Sequence, residues 1–170
     1  FKYILEKYFI CPPTMMLKKD MLELLGGYDE SLAYEDFDLW VRASQITEFM
    51  YLDKITTLYR RTSKSLSKSF YQTKNNPLLA STLVILKKAY DFCREEDEFK
   101  FLAQNVQYHQ RQCFFTENFD LLKEYSRFLK QPHLMKYETF FTKIVEFLGK
   151  NRLKLSKLYH MYKKLRYANS

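Results

Sequence analysis

The chain has 170 residues and a formal net charge of +8, and 46% of its residues are hydrophobic, as in an ordinary folded protein. With only three glycines and four prolines, it is not a collagen-like or proline-rich disordered chain, and it cannot form a glycine-rich phosphate loop. No apolar run reaches the ~18 residues of a membrane span. Three widely spaced cysteines predict neither a zinc site nor a disulfide framework, and they favour a reducing, cytoplasmic compartment.

Charge divides the chain into two parts. Residues 1–63 carry 8 basic and 10 acidic side chains, whereas residues 64–170 carry 20 basic and 10 acidic side chains. The Ser-, Lys- and Asn-rich stretch between them has the composition of a linker or a mobile loop. We therefore predict two domains, residues 1–70 and residues 71–170.

The first part is predicted to mix helices and strands. The apolar run Thr14–Leu17 predicts a strand, and a short helix over Met21–Leu25 is expected to end at Gly26-Gly27 because glycine accepts positive φ. A further helix is predicted to begin near Glu35, where apolar residues follow at helical spacing. The β-branched and aromatic residues of Phe49–Tyr59 predict one or two more strands.

The second part is predicted to be almost entirely helical. Apolar residues recur at helical spacing in five segments, which begin near Pro77, Phe99, Phe119, Phe140 and Leu155. Gly149 is expected to stop the fourth of these helices. His109 lies on an apolar helix face and is expected to be a hydrogen-bonded core residue. The predicted fold class is mainly α with a small β part.

Three motifs follow one another in the first part. They are Gly26-Gly27-Tyr28-Asp29-Glu30, then Glu35-Asp36-Phe37-Asp38-Leu39-Trp40-Val41-Arg42, and then Tyr59-Arg60-Arg61-Thr62 with Ser65 and Ser67. In this order they resemble the second half of the catalytic domain of family 2 glycosyltransferases, which have a GT-A fold. The resemblance covers about residues 10–70. It implies a partial GT-A α/β segment followed by a C-terminal helical bundle.

The resemblance also implies a reaction. A hexosyltransferase-like enzyme of this family moves a sugar, with inversion, from a nucleotide-sugar to a saccharide or lipid-linked acceptor, as in polysaccharide biosynthesis. An acceptor hydroxyl is a poor nucleophile until a base removes its proton. The family pattern gives that role to Asp36, and it gives Glu35 the role of orienting the acceptor or the base. Arg42 is expected to support the helix.

The same resemblance implies a set of substrate-binding residues. Arg60 and Arg61 are expected to pair with the donor phosphates, on a loop that also contains Ser65 and Ser67 and closes over the donor. Trp40 is a further candidate substrate-binding residue, although its place in the helix favours a supporting role.

Metal binding is not predicted within this chain. Asp36 and Asp38 match the D-x-D metal signature of GT-A enzymes, but that signature follows an apolar strand, whereas this pair opens a helix. Thr62 stands where many relatives have a metal-binding histidine. We expect a divalent cation, Mg or Mn, in the full-length parent and none in this chain. Since the chain begins at Phe1 and lacks a nucleotide-binding half, we expect a fragment that is inactive alone.

Two simpler interpretations stand beside this one. Acidic residues in the first turn of a helix are favoured by the helix dipole by ~0.3–1 kcal/mol, so Glu35, Asp36 and Asp38 also fit a plain helix start. The chain also fits a non-catalytic helical module that binds a protein partner or a membrane surface.

The C-terminal segment bears on the second interpretation. Residues 150–167 contain seven basic residues and no acidic one. Such a helix suits an anionic membrane surface, here the inner face of a membrane, or a solvated face of a bundle. No recognition motif supports a nucleic-acid partner. The exposed strand edges and apolar surface of a split α/β domain predict a homo-oligomer.

Overall fold

The computed structural model describes residues 1–6, 10–58, 60, 72–156 and 159, and they are mainly helical. Seven α-helices are described: α1 (Lys2–Glu6), α2 (Lys19–Leu24), α3 (Glu35–Ala43), α4 (Pro77–Phe92), α5 (Glu96–Phe115), α6 (Phe119–Leu129) and α7 (Phe140–Lys150). Short 3-10 helices lie at Pro12–Thr14 and Met135–Tyr137. The mainly α prediction is confirmed. No helix in these residues combines the length and the apolarity that crossing a bilayer requires.

The two predicted strand regions are not strands within the described residues. Thr14 belongs to a 3-10 helix, and Met15 and Lys18 do have extended backbones, with φ/ψ of −94°/146° and −72°/131°. A strand also needs a neighbouring strand to pair with. Here the Thr57 hydroxyl donates to the Pro13 carbonyl at 3.2 Å, so a side-chain contact joins the two regions in place of a backbone ladder.

Helix α4 begins where the sequence predicts. The side chain of Asn76 accepts hydrogen bonds from the N–H groups of Leu78 and Leu79, at 3.0 Å and 3.2 Å, and Pro77 occupies the first turn. Both features satisfy or avoid the unpaired N–H groups of a helix start. Helix α5 begins with a capping box between Glu95 and Glu98, so it starts three residues before the predicted Phe99.

Helix α5 is the centre of the fold. It packs against α1, α4, α6 and α7, and α3 packs against α4. One hydrophobic core therefore contains residues from both predicted domains, among them Leu5 of α1, Trp40 of α3, Leu86 of α4 and Val106 of α5. The predicted boundary near residue 70 stays a prediction, but the two sides of it share a core.

The end of α7 differs from the prediction. Gly149 does not stop the helix, which continues to Lys150. Instead, Gly149 allows α7 to approach α6, because a Cβ atom at this position would lie 2.7 Å from Cδ1 of Leu122. The fifth predicted helix, from Leu155 to Leu165, lies largely outside the described residues.

Candidate functional site

The Gly-Gly motif forms the turn that the sequence predicts. Helix α2 ends at Leu24, and Gly26 and Gly27 follow with φ of 72° and 75°. The N–H of Gly27 donates to the carbonyl of Leu22 at 2.8 Å, which closes the helix end. A Cβ atom on either glycine would meet nothing within 4 Å. Glycine is therefore favoured here by the positive φ of the backbone, and not by a lack of room for a side chain.

Arg42 ties this turn to α3. Its Nε donates to Oδ2 of Asp38 at 2.7 Å, one helical turn earlier. Its two terminal nitrogens donate to the carbonyls of Leu25 and Gly27, at 2.7 Å and 2.9 Å. A guanidinium group holds several donors in one plane, so it can bind both elements at once. This geometry fits the supporting role that the sequence predicts for Arg42.

Asp38 is the buried acceptor of the site. Its side chain is 0% exposed, and its second oxygen, Oδ1, accepts a hydrogen bond from Nζ of Lys88 at 2.8 Å. Lys88 lies on α4 and also donates to Oδ2 of Asp29 at 3.1 Å. Two carboxylates and two cations thus form a cluster without net charge, which is the condition under which burial of charged groups is tolerated.

The pKa directions agree with this arrangement. Partial burial opposes the charge on Lys88, but its hydrogen bonds to Asp38 and Asp29 outweigh that effect and raise its pKa. The pKa of Asp29 is lowered, first by the hydrogen bond from the Ser31 hydroxyl and then by that from Lys88. Lys88 and Asp29 are therefore both charged at neutral pH.

A second contact from α4 holds the loop before α3. The N–H of Ala33 donates to Oγ of Ser81 at 2.8 Å. Ser81 and Lys88 are seven residues apart, so they lie on one face of α4. That face of α4 holds both the loop that leads into α3 and the buried carboxylate of Asp38 in α3.

Asp36 lies on a different side of α3 from Asp38, because residues two apart in a helix point ~200° away from each other. Asp36 is half-buried, and its Oδ1 accepts a hydrogen bond from the N–H of Phe37 at 2.8 Å. Glu35, the first residue of the helix, is exposed. Both residues lie in the first turn of α3, where the helix dipole favours negative charge.

The predicted substrate-binding residues have different positions. Trp40 is 1% exposed and packs in the hydrophobic core, so its position fits the supporting role and gives a substrate no access to the ring. Arg60 is exposed. The predictions for Arg61, Ser65 and Ser67 lie outside the described residues.

The described residues do not fit a metal ion. No group of three or more His, Cys, Asp or Glu side chains among them is arranged to hold one. Both oxygens of Asp38 accept hydrogen bonds from cations, so the charge of this carboxylate is already matched by protein groups. A depression near Phe119 and Lys150 and another near Lys2 and Glu98 have no residue of α3 in their lining.

Sequence reasoning missed Lys88 and underestimated Asp38. Fifty residues separate the pair, so neither spacing nor periodicity links them. The available signal is the polar pair Ser81 and Lys88, which interrupts the apolar pattern of α4 on one face.

Comparison with known proteins gives one finding. A family model described as "Glycosyltransferase like family 2" matches residues 3–119. The match includes the Gly-Gly turn, α3 and Lys88. No curated protein and no solved structure matches the chain.

Proposed function

The chain belongs to the glycosyltransferase-like family 2, and on that basis we propose that Asp36 is the catalytic base of an inverting sugar transfer. In this reaction the oxygen of the acceptor hydroxyl attacks the anomeric carbon of a nucleotide-sugar. The bond from that carbon to the phosphate oxygen breaks, and the nucleoside diphosphate leaves. Asp36 takes the proton of the hydroxyl as the new bond forms.

The observation that carries this proposal is the hydrogen-bonded cluster on the other side of α3. Arg42 and Lys88 hold both oxygens of Asp38, so the first turn of α3 is fixed against the Gly-Gly turn and against α4. A base contributes most when its position is set before substrate binds. Asp36 is half-buried and lies two residues before Asp38 in the same helix turn, so the contacts of Asp38 also hold its backbone in place.

The remaining roles follow from the same family pattern. Glu35, exposed beside Asp36, is proposed to orient the acceptor. Arg60, Arg61, Ser65 and Ser67 are proposed to contact the donor diphosphate. The cation expected in the full-length protein, Mg or Mn, would supply charge for the leaving diphosphate, and its ligands would lie beyond the described residues. We propose that the chain alone is inactive, because no group of three or more His, Cys, Asp or Glu among the described residues is arranged to hold the cation.

Exposed apolar side chains support the idea that further structure covers this chain. Met16, Met50, Ile55 and Leu58 are each more than nine-tenths exposed. Apolar side chains with this much exposure are unusual on a protein surface unless another surface covers them. We propose that the rest of a GT-A sheet covers them, with strands that pair with the extended residues near Met15. Self-association is the alternative, and light scattering of the chain distinguishes a monomer from an oligomer.

The test of Asp36 uses the full-length protein. Release of nucleoside diphosphate from a panel of UDP- and GDP-hexoses, with and without acceptor saccharides, identifies a working donor. Asp36→Asn is expected to lower kcat by about 10²–10⁴-fold, the usual contribution of a general base, while the free energy of unfolding falls by no more than about 1 kcal/mol, from the lost helix-dipole contact. The matched control is Glu30→Gln, which neutralises an exposed carboxylate in the adjacent loop. Full activity of Asp36→Asn would remove this residue as the base.

A further inference from the structure

Helix α7 has phenylalanines on the side that faces solvent. Phe140 is 80% exposed and Phe147 is 66% exposed. They are seven residues apart, which places them on one line along the helix about two turns from each other. Thr142, Val145 and Gly149 form the opposite, buried side. A surface helix usually carries charged or polar residues on its outermost line, so this helix departs from the usual pattern.

The flanks of this line differ from one another. Phe141, 51% exposed, extends the apolar line on one side. On the other side Lys143 and Lys150 have side chains that are each 64% exposed. We call these five residues, Phe140, Phe141, Lys143, Phe147 and Lys150, the α7 outer face.

The acidic side chains near the α7 outer face point inward. Glu146 is only 13% exposed and accepts from Lys130 and Lys150, both at 2.9 Å. Glu138 is also 13% exposed and lies 3.8 Å from Lys143. The lysine side chains are thus more exposed than the carboxylates with which they pair.

Glu146 remains a carboxylate in this setting. Burial opposes its ionisation, but the hydrogen bonds from Lys130 and Lys150 are stronger in effect and lower its pKa. The sequence around α7 has a basic excess, since residues 130–156 contain six basic and two acidic residues. Lys143 and Lys150 are paired with Glu138 and Glu146, but Lys130 also pairs with Glu146, so these three lysines and two glutamates carry one positive charge in excess.

Exposed phenylalanines thus lie beside exposed lysines on α7, and the carboxylates that pair with those lysines are covered. From this juxtaposition we infer that the α7 outer face binds the surface of an anionic lipid bilayer. The rings insert at the level of the headgroups, and Lys143 and Lys150 contact the lipid phosphates. A second copy of the chain is a poorer occupant, because two such faces would bring like charges together. An anionic bilayer offers apolar depth and negative charge in the same place.

This surface shares only Lys150 with the C-terminal segment 150–167 that the sequence suggested, and its apolar contacts come from residues 140–147. The inference also stands apart from the proposed reaction. Its test measures binding of the chain to lipid, so loss of the catalytic proposal would leave it intact, and the reverse also holds.

The experiment is co-sedimentation of the full 170-residue chain with vesicles. One set contains phosphatidylcholine alone, and the other contains about one-third phosphatidylglycerol. Binding is expected only to the anionic set and is expected to fall sharply between about 50 mM and about 500 mM NaCl. Equal binding to both sets, or no binding to either at low salt, would overturn the inference.

Two variants locate the surface. Phe140→Ser with Phe147→Ser is expected to weaken partitioning by at least about tenfold, and Lys143→Gln with Lys150→Gln by about fivefold for each lysine. The matched control is Tyr51→Ser with Ile55→Ser, which removes similar exposed apolar area far from α7 in sequence and should bind like the unchanged chain. Circular dichroism checks that all variants fold.

Each other outcome has a definite meaning. If the double phenylalanine variant binds vesicles like the unchanged chain, the α7 outer face is not the binding surface and segment 150–167 becomes the candidate. If the unchanged chain is a dimer in light scattering and binds no vesicles, and the double phenylalanine variant is a monomer, a second copy of the chain occupies the α7 outer face. Either result rejects the inference.

Discussion

Nζ of Lys88 lies 2.8 Å from Oδ1 of Asp38, although fifty residues separate the two in the sequence. Asp38 belongs to the helix that contains the proposed base, and Lys88 belongs to α4 in the basic, helical part of the chain. The pair therefore joins the two regions that composition separates. Because Asp38 is fully buried, this contact is expected to matter for stability more than a surface ion pair does.

Replacement of Lys88 tests this contact. Lys88→Met should lower the free energy of unfolding by about 2 kcal/mol, because it leaves a buried carboxylate with one cation fewer. The loss stays below that of a fully buried pair because the Lys88 side chain is 35% exposed. Urea titration measures it.

The neighbouring residue provides the control. Lys87 is exposed, so Lys87→Met should change stability by less than about 0.5 kcal/mol. If both variants unfold at the same urea concentration, the contact between Lys88 and Asp38 contributes nothing measurable to the fold.

Histidine 109 predicts how stability depends on pH. Its ring is buried, and Nδ1 lies 3.0 Å from the carbonyl oxygen of Asn105. The prediction of a hydrogen-bonded core histidine is confirmed. Burial lowers its pKa from 6.5 to about 4, because an apolar environment disfavours the charged ring. At mildly acidic pH, His109 is therefore protonated in the unfolded chain but not in the folded chain.

The sign of the effect follows from this difference. Stability is complete above pH 6.5 and is lost as the pH falls toward 4, by about 3 kcal/mol at most. The carboxylates with lowered pKa values, such as Asp29 and Glu146, reduce stability only below about pH 4.5, near their ordinary pKa values. The slope between pH 6.5 and pH 5 is therefore expected to come from His109.

Unfolding in urea across this pH range measures the slope. His109→Gln should unfold more easily at pH 7 and lose the slope between pH 6.5 and pH 5. His133→Gln, which changes an exposed histidine, should keep it. A flat profile for the unchanged chain would contradict the buried, neutral state of His109.

Gly149 gives a prediction opposite to the usual rule for helices. Glycine to alanine within a helix normally stabilises a protein by up to about 1 kcal/mol. Here the added methyl group would lie 2.7 Å from Leu122, which is itself buried. Overpacking costs about 1–3 kcal/mol, so Gly149→Ala should destabilise by about 1 kcal/mol overall.

A double-mutant cycle with Leu122→Ala separates the higher helix preference of alanine from the cost of overpacking against Leu122. In the Leu122→Ala background the methyl group has room, so Gly149→Ala should become neutral or stabilising. An identical effect of Gly149→Ala in both backgrounds would show that α7 does not press against α6 at this position.

Local sequence signals predicted the helices well. The bounds of α3, α4 and α6 follow from apolar periodicity and from local end signals such as Asn76 and Pro77. Helix α1 was not predicted, because its five residues show less than two turns of pattern. It is held by packing on α5, where Asn105 donates to the carbonyl of Leu5 at 2.9 Å.

The failed strands have a different cause. Extended conformation is a local property, and it is present at Met15. Pairing depends on a neighbour elsewhere in the chain, so the composition of 49–59 could not establish it. The site shows the same division. The Gly-Gly turn was predicted from the backbone freedom of glycine, and the supporting role of Arg42 came from the family resemblance. The burial of Asp38 depends on α4, whose Lys88 lies fifty residues away in the sequence.

The cluster around Asp38 has a practical consequence for expression. A recombinant piece that stops at residue 70 would keep every motif of the first part, yet it would lack Lys88 and the α4 surface on which α3 packs. The buried carboxylate of Asp38 would then lose one of the two cations that pair with it. Such a piece is expected to be insoluble, and any shortened gene for this part should therefore extend at least through α5.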